Sequence, residues 1–252
     1  MAYVMLGRCE VLDDIYIAGN FQADGIACST DALNEANRLQ EIFEKDDDQN
    51  EEDQKFKISF LNTRSLKKHE IDLRMEPLLM KADIFCLCET WLNESESVPF
   101  EGFEGIFANA GRGKGIAAFV KNFPTQEPVK IIEKNFSSVI IHINRMVLVF
   151  MYVSKECDQD EVIKVLSDYA LGKKPTAVIG DFNWNYNDSC KIKTFFEKNL
   201  FQQVITEPTH DMGNTIDHVY LNSLLPSEKV ESKCSPAYFS DHDIITLRIS
   251  LK

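Results

Sequence analysis

The stretch "VIGDFNWN", Val178–Asn185, sets an apolar run against a carboxylate and an amide one residue apart. Two β-branched residues lead into Gly180, and a short continuous apolar run of this kind reads as a strand buried on both faces. Its end is polar. Residues i and i+2 of a strand share a face, so Asp181 and Asn183 point to one side while Phe182 packs on the other. One Asp or Asn beside a strand is ordinarily a turn former, so the pair acquires meaning only if partners stand elsewhere in the chain.

They do. "FKISFLN" (56–62) is a strand ending on Asn62, and "DIFCLCET" (83–90) is a buried strand ending on Glu89. "SSVIIHINRMVLVFMYV" (137–153) reads as two strands joined by a tight turn near Asn144-Arg145, with Tyr152 close to its end. Asp217 opens the strand "DHVYL", and Asp241-His242 precede the last strand, "DIITLRISL". "GIAAFVK" follows the glycine-rich "AGRGKG" as a further strand. "SLKKHEIDLRMEPLLMKA" (65–82) reads as a helix with Leu66, Ile71, Leu78 and Leu79 on its apolar side, its regularity limited by Pro77. "DEVIKVLSDYAL" and "CKIKTFFEKNLF" read as two more helices. This order predicts a layered α/β domain, two packed sheets with helices outside.

The polar strand ends fit one chemistry together. A hard divalent cation takes oxygen ligands, and Mg²⁺ uses one or two carboxylates plus water and substrate phosphate. Glu89 and Asp241 suit that role. Hydrolysis of a phosphodiester also needs a base or positioner for water and donors for the charge growing on phosphate. Asp181 suits the first; Asn62, Asn183, Tyr152 and His242 suit the second. Asp217 is placed to hold the His242 ring in one tautomer.

Composition bounds the rest. The chain has 252 residues and a net charge of −13. Residues 1–54 hold 14 acidic and 3 basic side chains, whereas residues 55–252 hold 26 and 24. The second part is near neutral, and local potential rather than total charge decides nucleic-acid binding. "EKDDDQNEEDQ" (44–54) has seven acids, one base and no apolar residue, the composition of a solvated disordered linker. Seven cysteines without paired metal spacing read as reduced thiols of a nuclear or cytoplasmic protein. Neither a signal peptide nor an apolar run of about 20 residues is found.

"FLNTRSL", "CLCETWL", "GDFN", "NTIDHVYL" and "SDHDIITL", in that order, resemble the motifs of the endonuclease/exonuclease/phosphatase family. The similarity covers about residues 55–252. "NTRSL", "ETWL" and "GRGKGIAAFV" are closest to the apurinic-like endonuclease domains of non-LTR retrotransposons. The resemblance implies a four-layer α/β sandwich, Mg²⁺ or Mn²⁺, and cleavage of DNA to leave 3′-hydroxyl and 5′-phosphate ends. It implies that Glu89, Asp241 and Asn62 hold the metal. Tyr152 matches a phosphate contact, Asp181 and Asn183 the pair handling water and phosphate, and Asp217 the aspartate that orients His242. One position departs: where some repair members carry an acid two residues after the first asparagine, this chain has Arg64. Stretches 93–114 and 206–214 are expected to face DNA, with His210 solvated.

Residues 1–43 carry a second resemblance. "YVMLGRCEVLDDIYIAGNF" followed by "ALNEANRL" is similar to the end of a Helitron-type helicase, with Arg8 at the position of its last motif. No G-x-x-x-x-G-K-[ST] loop is present, so no nucleotide binding is expected of this appendage. The expected division is 1–43 appendage, 44–54 linker and 55–252 catalytic domain. Two alternatives share the second part: a phosphatase or phosphodiesterase acting on lipid or small-molecule phosphoesters, and an inactive DNA-binding remnant. "NTRSL" and "ETWL" favour the nuclease over the first, and the intact polar set argues against the second.

Overall fold

The computed structural model describes residues 34, 38, 55–121, 126–143 and 146–250. The chain divides into two units, Met1–Gln49 and Asn50–Lys252. In the first, Asn34 and Arg38 are helical. The rest of the 1–43 appendage and the acidic tract 44–54 lie outside the described residues.

In the second unit, β1 (Phe56–Asn62), β2 (Ile84–Cys88), β3 (Glu104–Ala108), β4 (Ile116–Val120), β11 (Val230–Ser235) and β12 (Ile244–Ile249) form one six-stranded sheet in the order β11-β12-β1-β2-β4-β3. The strands β5 (Val129–Ile132), β6 (Phe136–Ile143), β7 (Met146–Val153), β8 (Thr176–Asp181), β9 (Gln202–Gln203) and β10 (Asp217–Leu221) form the other, ordered β5-β6-β7-β8-β10-β9. The apolar faces of the two sheets meet in an inner core that contains Phe60, Cys86, Ile141, Phe150, Ile179 and Leu247. Helices α3 (Gln159–Tyr169) and α4 (Lys191–Lys198) cover the outside of the second sheet through Val162, Leu166, Ile192 and Phe196. Helices α1 (Glu70–Met75) and α2 (Pro77–Met80) cover the first, where Phe85, Phe100 and Phe119 pack with Leu73 and Leu79. This is the four-layer sandwich expected. Continuous burial of β2, β4, β7 and β8 explains their unbroken apolar runs, because each strand has a core on both faces.

Three readings change. The helix expected over 65–82 is two short ones: Glu76 is extended (ψ 109°) ahead of Pro77, as the proline ring requires. The break rotates the faces, so Leu73 is buried and Ile71 is 65% exposed. Within 93–114, expected as loop, residues 104–108 form the edge strand β3. The strands β5 and β11 were not legible, for both are half exposed and carry charged side chains, Lys130 in the first and Glu231 and Lys233 in the second. The tight turn near 144–145 lies outside the described residues. The five described cysteines are free. Among the described residues no helix is long and apolar enough to cross a membrane.

Beneath the second sheet, His218 stacks on Phe182 at 5.3 Å between ring centres. Its Nε2–H donates to the Thr215 carbonyl (3.0 Å) and its Nδ1 accepts from the Tyr220 hydroxyl (3.2 Å), which is a neutral ring fully satisfied. Burial pushes its pKa down to about 4. Between that value and the unfolded one, near 6.5, the unfolded chain binds a proton that the fold refuses, so stability falls as pH falls. Urea midpoints should show that the parent loses about 2 kcal/mol more between pH 7 and pH 5 than a His218→Gln variant. Equal losses would mean that His218 takes no part in the acid response.

Candidate active site

Strand direction gathers the polar ends. β1 runs parallel to β2 and β7 parallel to β8, so the last residues of all four lie at one end of the sandwich. β10 and β12 are antiparallel to their neighbours, so their first residues return to that same end. Asp217 thus pairs across from Asp181 and Tyr152 beside it. Gly180 allows the close approach of β8 to β7: a Cβ there would lie 2.3 Å from the Met151 carbonyl oxygen.

Two side-chain contacts tie the sheets together at this end. Asn62 Nδ2 donates to Asp181 Oδ2 at 2.8 Å and to Glu89 Oε1 at 3.0 Å. His242 Nδ1 lies 2.8 Å from Asp217 Oδ2. Ser240 locks the second contact to the first: its hydroxyl donates to the Asn62 carbonyl at 2.7 Å and accepts the His242 N–H at 3.2 Å. Trp91 Nε1 holds the other Glu89 oxygen at 3.2 Å, with the Arg112 guanidinium over the indole. Asn183 donates its backbone N–H to Asp181 Oδ1 and one amide hydrogen to the Val153 carbonyl. Phe182, between them, is buried in the outer core, as alternation requires.

The backbone around the site is strained. Arg64 (φ 44°), Ser65 (103°), Glu89 (47°), Trp91 (56°) and Asn183 (58°) all adopt positive φ, and Leu200 is the one other non-glycine residue to do so among the described residues. A left-handed backbone costs an L-residue about 1–2 kcal/mol, and such strain persists where surrounding structure fixes it, commonly at functional sites. Here it turns the chain sharply off β1, β2 and β8.

The electrostatics separate the titrating groups. Burial, joined by the Asp217 charge, pushes Asp181 up to about 8 against opposing help from His242 and Asn62. For His242 burial works to lower the pKa, but the charge and hydrogen bond of Asp217, with Asp181 and Asp241 behind them, outweigh it and raise it to about 9. His242 is therefore an imidazolium at neutral pH. With Nδ1–H on Asp217, its Nε2–H is a charged donor. Burial and the charges of Glu89 and Asp181 raise Tyr152, which keeps its proton and donates it to the Gly113 carbonyl at 3.0 Å. In this arrangement Tyr152 holds the glycine-rich loop. Asn62 presents its amide nitrogen to the carboxylates and its oxygen to the Arg64 N–H (3.1 Å).

The donor set suits a hard cation. Glu89, Asp181, Asp217 and Asp241 are oxygen donors, and Asp217 Oδ1 and Asp241 Oδ1 are buried without a hydrogen-bond partner. Uncompensated buried carboxylate oxygens are costly unless something meets them. Ligand atoms of Asp181, Asp217 and His242 lie within 4.8 Å of one another, as do those of His210, Asp241 and His242.

Sequence reasoning missed three residues here. His210, expected in solvent, pairs with His242 as a β-bridge, and its Nε2 lies 3.5 Å from Asp241 Oδ2. Thr209, wholly buried, accepts the Asp217 N–H on its hydroxyl at 3.0 Å. Arg64 forms an ion pair with Asp241. None lies on a periodic segment; the motif comparison marked Arg64 only as a departure, without a partner, and nothing marked Thr209.

The fold recurs in solved structures. An AP endonuclease from Archaeoglobus fulgidus superposes with a TM-score of 0.62 at 14% identity, covering 77% of this chain and 99% of that one. The endonuclease domain of TRAS1, a telomere-specific non-LTR retrotransposon, gives 0.59 at 14% identity, covering 78% and 99%. The cytolethal distending toxin of Haemophilus ducreyi gives 0.57 at 17% identity, covering 77% and 98%. At these identities the likeness is one of fold. No curated protein sequence matches significantly. The profile of the Endonuclease/Exonuclease/phosphatase family matches residues 61–242, a span that runs from the end of β1 to His242, and the chain belongs to that family.

Proposed function

We propose that this chain is a metal-dependent DNA endonuclease of the mobile-element type, cutting one strand to leave a 3′-hydroxyl and a 5′-phosphate. The observation that carries the reading is the inter-sheet run Glu89–Asn62–Asp181 beside Asp217–His242, a set of strand-end groups on a rigid mount. Similarity to an AP endonuclease and a retrotransposon endonuclease domain supports DNA as the substrate. So does the placement of two guanidinium groups, Arg112 over the Trp91 indole that holds Glu89 and Arg64 on Asp241. The proposed division is a 1–43 appendage, a 44–54 linker and a 55–252 catalytic domain.

Glu89 and Asp241 would hold Mg²⁺ or Mn²⁺, with Asn62 positioning Glu89. A cation bound there supplies Lewis-acid stabilisation of charge on the phosphoryl oxygens. The chain's own groups do the rest. Asp181 orients the attacking water and takes its proton on a carboxylate oxygen, which burial makes more basic than an exposed carboxylate. His242 donates Nε2–H to a phosphate oxygen, fixed by Asp217 on Nδ1. Asn183 has a second amide hydrogen for the same phosphate. Tyr152 keeps the 110–115 loop seated; a direct phosphate contact from Tyr152 requires its O–H to turn from Gly113.

The ends of the product test this reading. Supercoiled plasmid nicked by the full chain in Mg²⁺ should be resealed by DNA ligase with no prior kinase or phosphatase treatment. Nicks that ligase closes only after such treatment would contradict it, and failure to nick DNA alongside release of phosphate from small phosphoesters would favour a phosphatase.

A further inference from the structure

Arg64 stands where the chain leaves β1, in left-handed backbone (φ 44°), with its N–H fixed on Asn62 Oδ1. Its Nη1 pairs with Asp241 Oδ2, the oxygen that His210 Nε2 also approaches, while Asp241 Oδ1 is buried and bare. The guanidinium therefore covers one half of a carboxylate that the preceding section assigns to a cation. It is not locked there. The Arg64 side chain is 52% exposed, and guanidinium has five N–H donors in a planar fork that matches phosphate oxygens. Only Nη1 meets Asp241.

We propose that Arg64 is a resident counter-cation at Asp241: it competes with the divalent cation in the free protein and passes to a backbone phosphate when nucleic acid binds. Two like charges at one carboxylate repel, so the free protein binds the cation more weakly than its carboxylates alone would. An incoming phosphate draws the guanidinium off Asp241, because bidentate Arg–phosphate pairing is stronger than a single exposed contact. Nucleic acid and cation then reinforce each other's binding, and free protein carries little of either.

The inference rests on reading Asp241 as part of a cation site, and the test separates the two. Mn²⁺ is titrated calorimetrically, without DNA, into the full chain and its Arg64→Gln, Arg64→Lys and Asp241→Asn variants. Duplex DNA binding in chelator is then measured against salt. Arg64→Gln should bind Mn²⁺ about twofold to fivefold more tightly, the scale of a half-exposed charge pair. Its log–log salt slope for DNA should fall by about one. Arg64→Lys, which keeps the charge, should stay near the parent in Mn²⁺ affinity. Unchanged or weaker Mn²⁺ binding by Arg64→Gln, or an unchanged salt slope, overturns the proposal. If Asp241→Asn binds Mn²⁺ as tightly as the parent, the cation reading falls and the proposal with it. If Asp241→Asn binds more weakly while Arg64→Gln matches the parent, the proposal alone falls.

Discussion

Asp217→Asn is expected to lower DNA nicking by about a thousandfold while leaving the protein folded, the upper end of what the loss of one preorganised donor to a developing charge costs. Asp217 is buried beside β8, and its Oδ2 is the partner of His242 Nδ1 at 2.8 Å. Asparagine keeps the shape but removes the charge. Burial, which pulls the His242 pKa down, is then opposed only by the more distant Asp181 and Asp241. The ring becomes neutral at working pH, and if its remaining proton sits on Nδ1, Nε2 becomes an acceptor facing an anion. The pH profile carries the sign. In the parent the imidazolium donor is present below about 9 and is lost as pH rises through that value. In Asp217→Asn the loss should move down by more than one pH unit, which a merely structural role would not produce. Full nicking by a folded Asp217→Asn protein with an unshifted profile would remove the Asp217–His242 pair from the mechanism.

The site was legible largely because strands announce themselves. Asn62, Glu89, Tyr152, Asp181 and Asp217 each sit at the end of a buried apolar run, and parallel pairing of β1 with β2 and of β7 with β8 carries those ends to one place. The connection between Asn62 and Asp181 was not legible: it joins residues 119 apart across two sheets, and no local pattern encodes it. The contacts of His210, Thr209 and Arg64 were hidden for a different reason. These residues lie between the regular elements, where no hydrophobic period places a side chain. His210 in particular enters the site only because the 206–214 loop pairs with the segment before β12. The same limit explains β3, β5 and β11. Solvated edge strands have mixed faces, and their pairing is set by neighbours rather than by propensity. The single helix expected over 65–82 failed at Pro77, where proline's restriction on Glu76 outweighed the helical spacing of the leucines.

The most direct test is Asp181→Asn. Asp181 is fully buried, accepts Asn62 on one oxygen and the Asn183 N–H on the other, and sits at the tip of the strand that opens the question of this fold. An amide can keep the bond from Asn183 but sets its own N–H₂ toward that of Asn62, so one hydrogen bond is lost. Against that, a buried carboxylate next to Asp217 disappears. These two effects oppose each other, and each is of the order of 1–3 kcal/mol, so the melting temperature should shift by a few degrees at most. Chemistry is not buffered in this way. An amide cannot take a proton at neutral pH, and removing a positioned base lowers rate by about two to four decades. Nicking of supercoiled plasmid by parent and variant, in Mg²⁺ and in chelator, with melting and DNA affinity measured alongside, therefore decides the matter. The account predicts a parent that nicks in Mg²⁺ and not in chelator, and a folded, DNA-binding variant slowed about a hundredfold or more. Full-rate nicking by a correctly folded Asp181→Asn protein would contradict it.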